Sequence, residues 1–580
     1  MKDKRYAGLA VTILGFVLAG CSADANPPED LPGSQNNVNE SPTAVAPLLD
    51  AAGPYSGNPI QPVNFGLDSS KQMSITNLQG HSVFLIKVNT SSQTVGYSST
   101  GHAYTAEKSP NLRGLGEVSR SSRGFISLEG GVHRYDPPEV SRFNNNPPPF
   151  SPPSGEPARS GLNDGRVSPY SALASAGDSR TFWVEEKDGF GSWREINAVL
   201  RAASRYSSVW VAAENYDNKS IRIDDNKLTQ AQAEKIAETF DLIYEYETPV
   251  FGYEYGGGVS PQDPGYGGVD KDPKIQILIY DINFDYDYSK NLTTLGYFAA
   301  KDMYAQTALD EYKMNSKSNQ AELFYIDSFE FDRRPMLLYS TLIHEFQHMI
   351  NFNEKFIKNG RITEVWYNEM LSLLAEDMIG PLIGIDASQD AHPINNLMPF
   401  FLGKYNAAGI TEWHTDDFTS YANVYAFGAY LARNYGGAEL IMEIAKNGKA
   451  NIPSLSGALS KINPGIVFEQ AIDRYGEALI YSGDHKPAGA LSFDSTVVKK
   501  INGVDYTFER FNIWDKTRFQ ENTLTPHKGP VIWSLDWIFT IPSHALIVQS
   551  LDEWQHRTGT LDITLWQPSS PYIDMYIMIR

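Results

Sequence analysis

Cysteine is nearly missing from this sequence: the 580 residues contain one, Cys21, close to the start. With no second thiol there is no internal disulfide framework. Beyond residue 21 there is no sulfur for a Cys nucleophile or a thiolate metal site. Positive charge is also in short supply, with 48 Lys and Arg against 69 Asp and Glu and a net charge of −21. Such a surface repels phosphate backbones and anionic head groups, so a nucleic-acid partner is excluded as a main role. Long apolar runs are scarce as well. The one at Tyr6–Gly20 is shorter than the roughly 20 residues a membrane-spanning helix needs. What is present is globular composition, 41% hydrophobic and 12% aromatic. The length predicts two to four domains with a sizeable core.

The N-terminus is organised. Lys2, Lys4 and Arg5 precede the apolar run, which ends Leu18-Ala19-Gly20-Cys21. Basic, apolar and small-residue segments in that order make a secretion signal. Leu-Ala-Gly-Cys resembles the bacterial lipobox, in which the Cys becomes the acylated first residue. The expectation is a lipoprotein signal peptide over 1–20 and lipidation at Cys21, with acyl chains as the membrane anchor. Ser22 after the Cys favours an outer-membrane or surface location in the cell envelope.

Composition then divides the chain. Residues 21–59, rich in Ser, Ala, Asn, Asp and Pro, read as a flexible tether. Short alternating runs over 60–135 predict a small N-terminal β domain. Residues 136–170, with Pro137-Pro138, Pro147-Pro148-Pro149 and Pro152-Pro153, read as a semi-rigid linker. Strand-like runs followed by mostly helical patterns over 171–487 predict an α+β catalytic unit. Alternation returns over 488–580 and predicts a C-terminal β domain.

The chemistry concentrates in Thr341-Leu342-Ile343-His344-Glu345-Phe346-Gln347-His348-Met349-Ile350. On a helix, His344 and His348 lie one turn apart on one face, so both imidazoles reach one ion, and Glu345 flanks that face. A carboxylate there serves as general base for a water that zinc makes acidic. Apolar Leu338, Leu342, Phe346, Met349 and Ile350 give this helix a buried side, and no Pro or Gly interrupts 336–353. The plainer alternative is an amphipathic helix whose histidines only hydrogen-bond. A catalytic zinc site needs a third protein ligand. Glu369, 21 residues after His348, leaves room for a turn near Asn359-Gly360 and the start of a second helix. Glu364 is the runner-up. Glu376 and Asp377 are candidates to accept the second N–H of a ligand histidine, or else are solvated charges.

His344-Glu345-x-x-His348 followed by Asn368-Glu369 and Ser372 resembles the gluzincins, the thermolysin-like zinc peptidases with two His and one Glu as ligands. HEFQHMINFN followed by WYNEMLSLLAED is similar to the hyicolysin family of bacterial secreted metallopeptidases, across roughly 275–450. The resemblance implies a thermolysin-like (zincin) fold, one Zn2+ held by His344, His348 and Glu369, and Glu345 as base. It implies a protein or peptide substrate paired with an edge strand, expected at Ala321–Tyr325. It also implies an oxyanion donor, for which Tyr421 is chosen and Tyr425 held in reserve. One departure stands out: the thermolysin-like pattern has Asp four residues after the Glu ligand, and here that position is Leu373. Either Glu376 or Asp377 substitutes, or the histidines are oriented differently.

Asp281-x-Asn283-x-Asp285-x-Asp287 opens like a Ca2+ loop, but Tyr286 replaces the Gly at its sixth position and Leu292 the acid at its twelfth. A strand-end loop without an ion is the favoured reading. The function expected is a lipid-anchored, zinc-dependent endopeptidase. The alternative is a surface adhesin or binding lipoprotein with a non-catalytic metal site, although such a protein would have no use for Glu345.

Overall fold

The computed structural model describes residues 55–105, 138–150 and 174–580. Within the last span, 187–188, 218–225, 261–262, 266, 283–293, 330, 332–333, 415–417, 484–485, 516, 520–528, 534–539 and 552–558 are excepted. Cys21, the signal segment, most of the tether and the Ca2+-like loop beyond Ile282 lie outside the described residues.

Six strands form one mixed sheet in the order Gly296–Phe298, Leu323–Asp327, Ile275–Tyr280, Ser207–Ala212, Gly189–Ala203 and Ser179–Glu186. Ile275–Tyr280 runs parallel to both neighbours, and the other pairings are antiparallel. Strand side chains alternate between faces. Accordingly Val209, Ile277, Ile279, Phe324 and Ile326 enter the main core beneath the helices. Trp210, Leu278, Tyr280, Leu323 and Tyr325 build a second core behind the sheet. Coverage on both faces explains the unbroken apolar run of Ile275–Tyr280. The architecture is α+β, as expected. The edge assignment is corrected: Leu323–Asp327 is flanked on both sides, and among the described residues the edge strand on that side is Gly296–Phe298.

Helix Gln230–Phe251 starts at a capping box between Thr229 and Gln232 and stops at Gly252, whose φ is 111°. Helix Pro335–Asn351 begins with Pro at its first position, where the ring costs no hydrogen bond. From Leu337 to Asn351 every residue except Tyr339 is buried, because this helix packs between the sheet, Gln230–Phe251 and helix Val365–Ile379. A π-helical turn, Phe352–Ile357, follows. Gly360 then adopts φ 60° and returns its N–H to the Phe356 carbonyl, which reverses the chain into Val365–Ile379. Helix Thr419–Tyr435 packs on the far side of Val365–Ile379.

The outer regions depart from the division read in the sequence. The two terminal β regions do not stand apart, because their strands pair with each other. Val83–Asn89 lies between Ala545–Ser550 and Ile573–Ile579, and Leu561–Trp566 lies between Ser70–Ile75 and His102–Thr105. Val83 and Leu85 fill the core between these two sheets, while Phe84, Ile86 and Val88 turn to the main core. Hairpin Val497–Ile501/Val504–Phe508, placed by the sequence in the C-terminal β domain, packs on the main core through Ile501, Tyr506 and Phe508. The Pro-rich stretch read as a linker contains helix Pro138–Asn145, with Val140 and Phe143 buried.

Candidate metal centre

Helical spacing puts the imidazoles of His344 and His348 side by side, ring centroids 4.6 Å apart and nearly perpendicular. Across from them, helix Val365–Ile379 presents Glu369. Its Oε2 is 3.1 Å from His344 Nε2 and its Oε1 is 3.6 Å from His348 Nε2. One ligand-type atom from each of the three residues lies within 4.8 Å of the others. The two helices are tied where they approach, with Asn351 Nδ2 donating to Asn368 Oδ1 at 2.7 Å. His344, Glu345, His348 and Glu369 are each 3–4% exposed.

The far nitrogen of each imidazole has its own partner. His344 Nδ1 is 2.8 Å from Glu376 Oε1, and the Ser340 hydroxyl donates to the other carboxylate oxygen. A carboxylate only accepts, so Nδ1 donates to Glu376, and Nε2, 3.1 Å from Glu369 Oε2, likewise donates until a cation displaces its proton. His348 Nδ1 is 3.0 Å from Ser372 Oγ, which donates to Gln347 Oε1 at 2.6 Å. That hydroxyl proton is committed to the amide, so Nδ1–H donates to Oγ and Nε2 is left as the lone pair. His348 Nε2 is in fact buried without a hydrogen-bond partner, an arrangement that costs free energy unless a cation fills it.

Charge supports the same reading. Burial lowers the affinity of His344 for a proton. The hydrogen bonds to Glu369 and Glu376 and the charges of Glu369 and Glu345 outweigh that and raise its pKa to about 10, so a bound cation would have to displace its Nε2 proton. Burial pushes His348 down to about 4, so it stays neutral, as a metal-binding imidazole must be. Two carboxylates converging on two imidazoles make a pocket that favours positive charge. Two His and one carboxylate are the donor set of a zinc site with an open position.

The candidate residues separate cleanly. His344, His348 and Glu369 come together, Glu345 follows His344 on the same buried helix, and Glu376 orients His344 in place of the residue at Leu373. Asp377 does not join them: it pairs with Arg433 at 3.0 Å and accepts from Tyr425 at 3.0 Å. Tyr425 is thereby engaged on the far side of the helix. Glu364 accepts from Trp366 Nε1 at 2.6 Å and Asn451 Nδ2 at 3.0 Å, and Glu369 is the carboxylate facing the histidines. Tyr421 is half-buried with its ring against Trp413 and Phe418, and the ligand-type group forms without it. Sequence reasoning missed Ser340, and it gave neither Gln347 nor Ser372 a structural role. It also missed Glu247, a fully buried acid on Gln230–Phe251. Both Glu247 oxygens lack partners, and burial raises its pKa well above the carboxylate range.

A family model described as Peptidase M30 matches residues 203–490, which include both ligand helices and the edge strand. The neutral metalloprotease ShpI of Staphylococcus hyicus is 27% identical over 311 residues, covering 50% of this chain and 64% of the relative. The match thus spans less than two thirds of that relative's length. Across the region that holds the metal-ligand group, this chain resembles the peptidase M30 metallopeptidases.

Proposed function

We propose that this protein is a zinc-dependent endopeptidase of thermolysin-like arrangement, anchored to the cell envelope through an acylated Cys21. The observation that carries the reading is the buried His344–His348–Glu369 group, in which His348 Nε2 makes no hydrogen bond. When bound, zinc supplies Lewis acidity that makes water a nucleophile near neutral pH. The residues of the chain do the rest. Glu345 takes the proton of the attacking water and passes it to the leaving amine. Glu376 and Ser372 hold the two imidazoles in the tautomer that donates Nε2. The outer side of Gly296–Phe298 is the edge that receives an extended peptide substrate. Tyr421 is the proposed donor to the oxyanion. Burial of the group in low dielectric strengthens each of these interactions relative to water.

The test is Glu345→Gln, which keeps the shape and removes the base. Zinc content should remain at one per chain while casein hydrolysis falls by at least about 100-fold. An active Glu345→Gln protein would take Glu345 out of this role.

A further inference from the structure

The outer side of the edge strand is partly taken. In an antiparallel pair, residues alternate between pointing their N–H and C=O at the partner strand and pointing them away. The Asp327 N–H donates to the Leu295 carbonyl at 2.9 Å, and the register continues Tyr297↔Tyr325. Leu295 and Tyr297 therefore face inward, and Gly296 and Phe298 turn their backbone groups outward; Ala300 lies just past the strand, at the start of a 3-10 turn. Asn144 takes the outward Phe298 carbonyl and the first N–H of the turn that follows the strand. Its Nδ2 donates to the Phe298 carbonyl at 2.7 Å, and its Oδ1 accepts from the Ala300 N–H at 2.8 Å. A carbonyl two residues before an N–H, bridged by one amide, is the pattern a neighbouring strand would make.

The rest of 138–150 is seated on the same side. Phe143 packs edge-on to Tyr304 at 5.6 Å. The Tyr304 hydroxyl donates to the Pro148 carbonyl at 2.7 Å. Phe150 packs against both Tyr255 and Tyr304, at 5.0 and 5.3 Å. Pro147-Pro148-Pro149 stiffens the segment, so little entropy opposes its docking. The edge strand in turn lies along the ligand helix. A side chain at Gly296 would meet Thr341 Cγ2 at 2.9 Å, and Phe298 packs on Phe352 at 5.9 Å. Both histidines lie between Thr341 and Phe352.

We infer that residues 138–150 are an inhibitory strap: Asn144 occupies the outward Phe298 carbonyl and the adjoining Ala300 N–H, at the end of the edge strand along which an extended peptide must lie, and the strap has to leave before such a substrate binds fully. The inference rests on the peptidase reading and adds to it a control built into the chain. A helix that merely protected a sheet edge from aggregation would show the same contacts, but its loosening would leave substrate affinity unchanged.

The experiment uses the zinc-loaded protein and Asn144→Asp, a change of equal size. The new carboxylate still accepts from Ala300 but sets oxygen against the Phe298 carbonyl. With the oxidised insulin B chain as substrate, KM should fall about fivefold with kcat unchanged, the equivalent of one lost hydrogen bond. Asn144→Ala should do the same. A synthetic peptide of residues 138–150 should inhibit the Asn144→Asp protein competitively. The amide of Ala300 should exchange with deuterium faster in both variants. Equal KM in parent and variants, all active and zinc-loaded, would overturn the strap and leave the peptidase reading intact. No hydrolysis by any form with zinc bound would overturn the peptidase reading and the strap with it. Hydrolysis by the variants alone would support both.

Discussion

Two histidines one helical turn apart, aimed at one ion, are held by chemically unlike neighbours. His344 leans on the carboxylate of Glu376, whereas His348 leans on a neutral hydroxyl that itself leans on Gln347. The anionic partner makes its imidazole the stronger donor, so its loss should cost more. Glu376→Gln should weaken zinc binding by about 10- to 100-fold, and Ser372→Ala by less, about tenfold at most. Competition against a fluorescent zinc chelator measures both, and equal affinity in all three proteins would contradict the orientation argument. Another buried acid ties the fold to pH. Burial raises Glu254 to about 7, against the hydrogen bonds from its own backbone and from Tyr244. The folded state therefore holds this proton more tightly than the unfolded chain. Its contribution to stability is fully present below about pH 4.5 and is lost as pH rises through about 7. Glu254→Gln should raise Tm at pH 8 and change it little at pH 4.5, at about 2–4 °C for each kcal/mol regained. A Tm difference independent of pH would remove ionisation as the cause. The ligand trio was legible in the sequence because helix geometry converts spacing directly into facing. Glu376 was legible only as one of two candidates, since adjacent residues on a helix differ by 100° and a single sequence does not say which face turns inward. Tyr425, the reserve choice, shows the weakness of choosing a tyrosine by neighbourhood: it donates to Asp377.

At the scale of helices and strands, local signals carried well and lateral ones did not. Thr229 with Gln232, Pro335, and the Asn359-Gly360 turn mark helix boundaries through chemistry confined to a few residues. Ile275–Tyr280 is recognisable as a buried strand from its own composition. The three-residue strand Gly296–Phe298 has no such signature, and among the described residues it forms the sheet edge beside Leu323–Asp327. Without it, the edge was assigned one strand too far in. The same blindness hid the helix Pro138–Asn145 inside a proline-rich stretch: proline at the first helical position is favourable, yet several prolines nearby read as linker. Its Asn144 contact to the edge strand is more than 150 residues away in sequence, beyond anything periodicity reports.

For the whole molecule, the decisive fact is that strands within 60–105 build common sheets with strands of the last 40 residues. Val83–Asn89 is buried on both faces and hydrogen-bonded on both edges by strands from the last 40 residues. Removing residues 540–580 should therefore unfold the segment 60–105 as well as delete the C-terminal strands. Limited proteolysis of the truncated protein should then cut within 60–105. Protection there would mean the N-terminal strands stand alone. The same sheet packs Phe84, Ile86 and Val88 on the core that supports the ligand helices, so the terminal strands contribute to the metal centre's support without touching it. The whole account stands on that centre. The most direct measurement is the zinc content of the purified protein together with casein hydrolysis, before chelation, after it, and after zinc is returned. The account predicts one zinc per chain, with cleavage that disappears on chelation and returns with the metal. A chain that binds no zinc, or that cleaves casein equally well without it, would contradict the assignment of His344, His348 and Glu369.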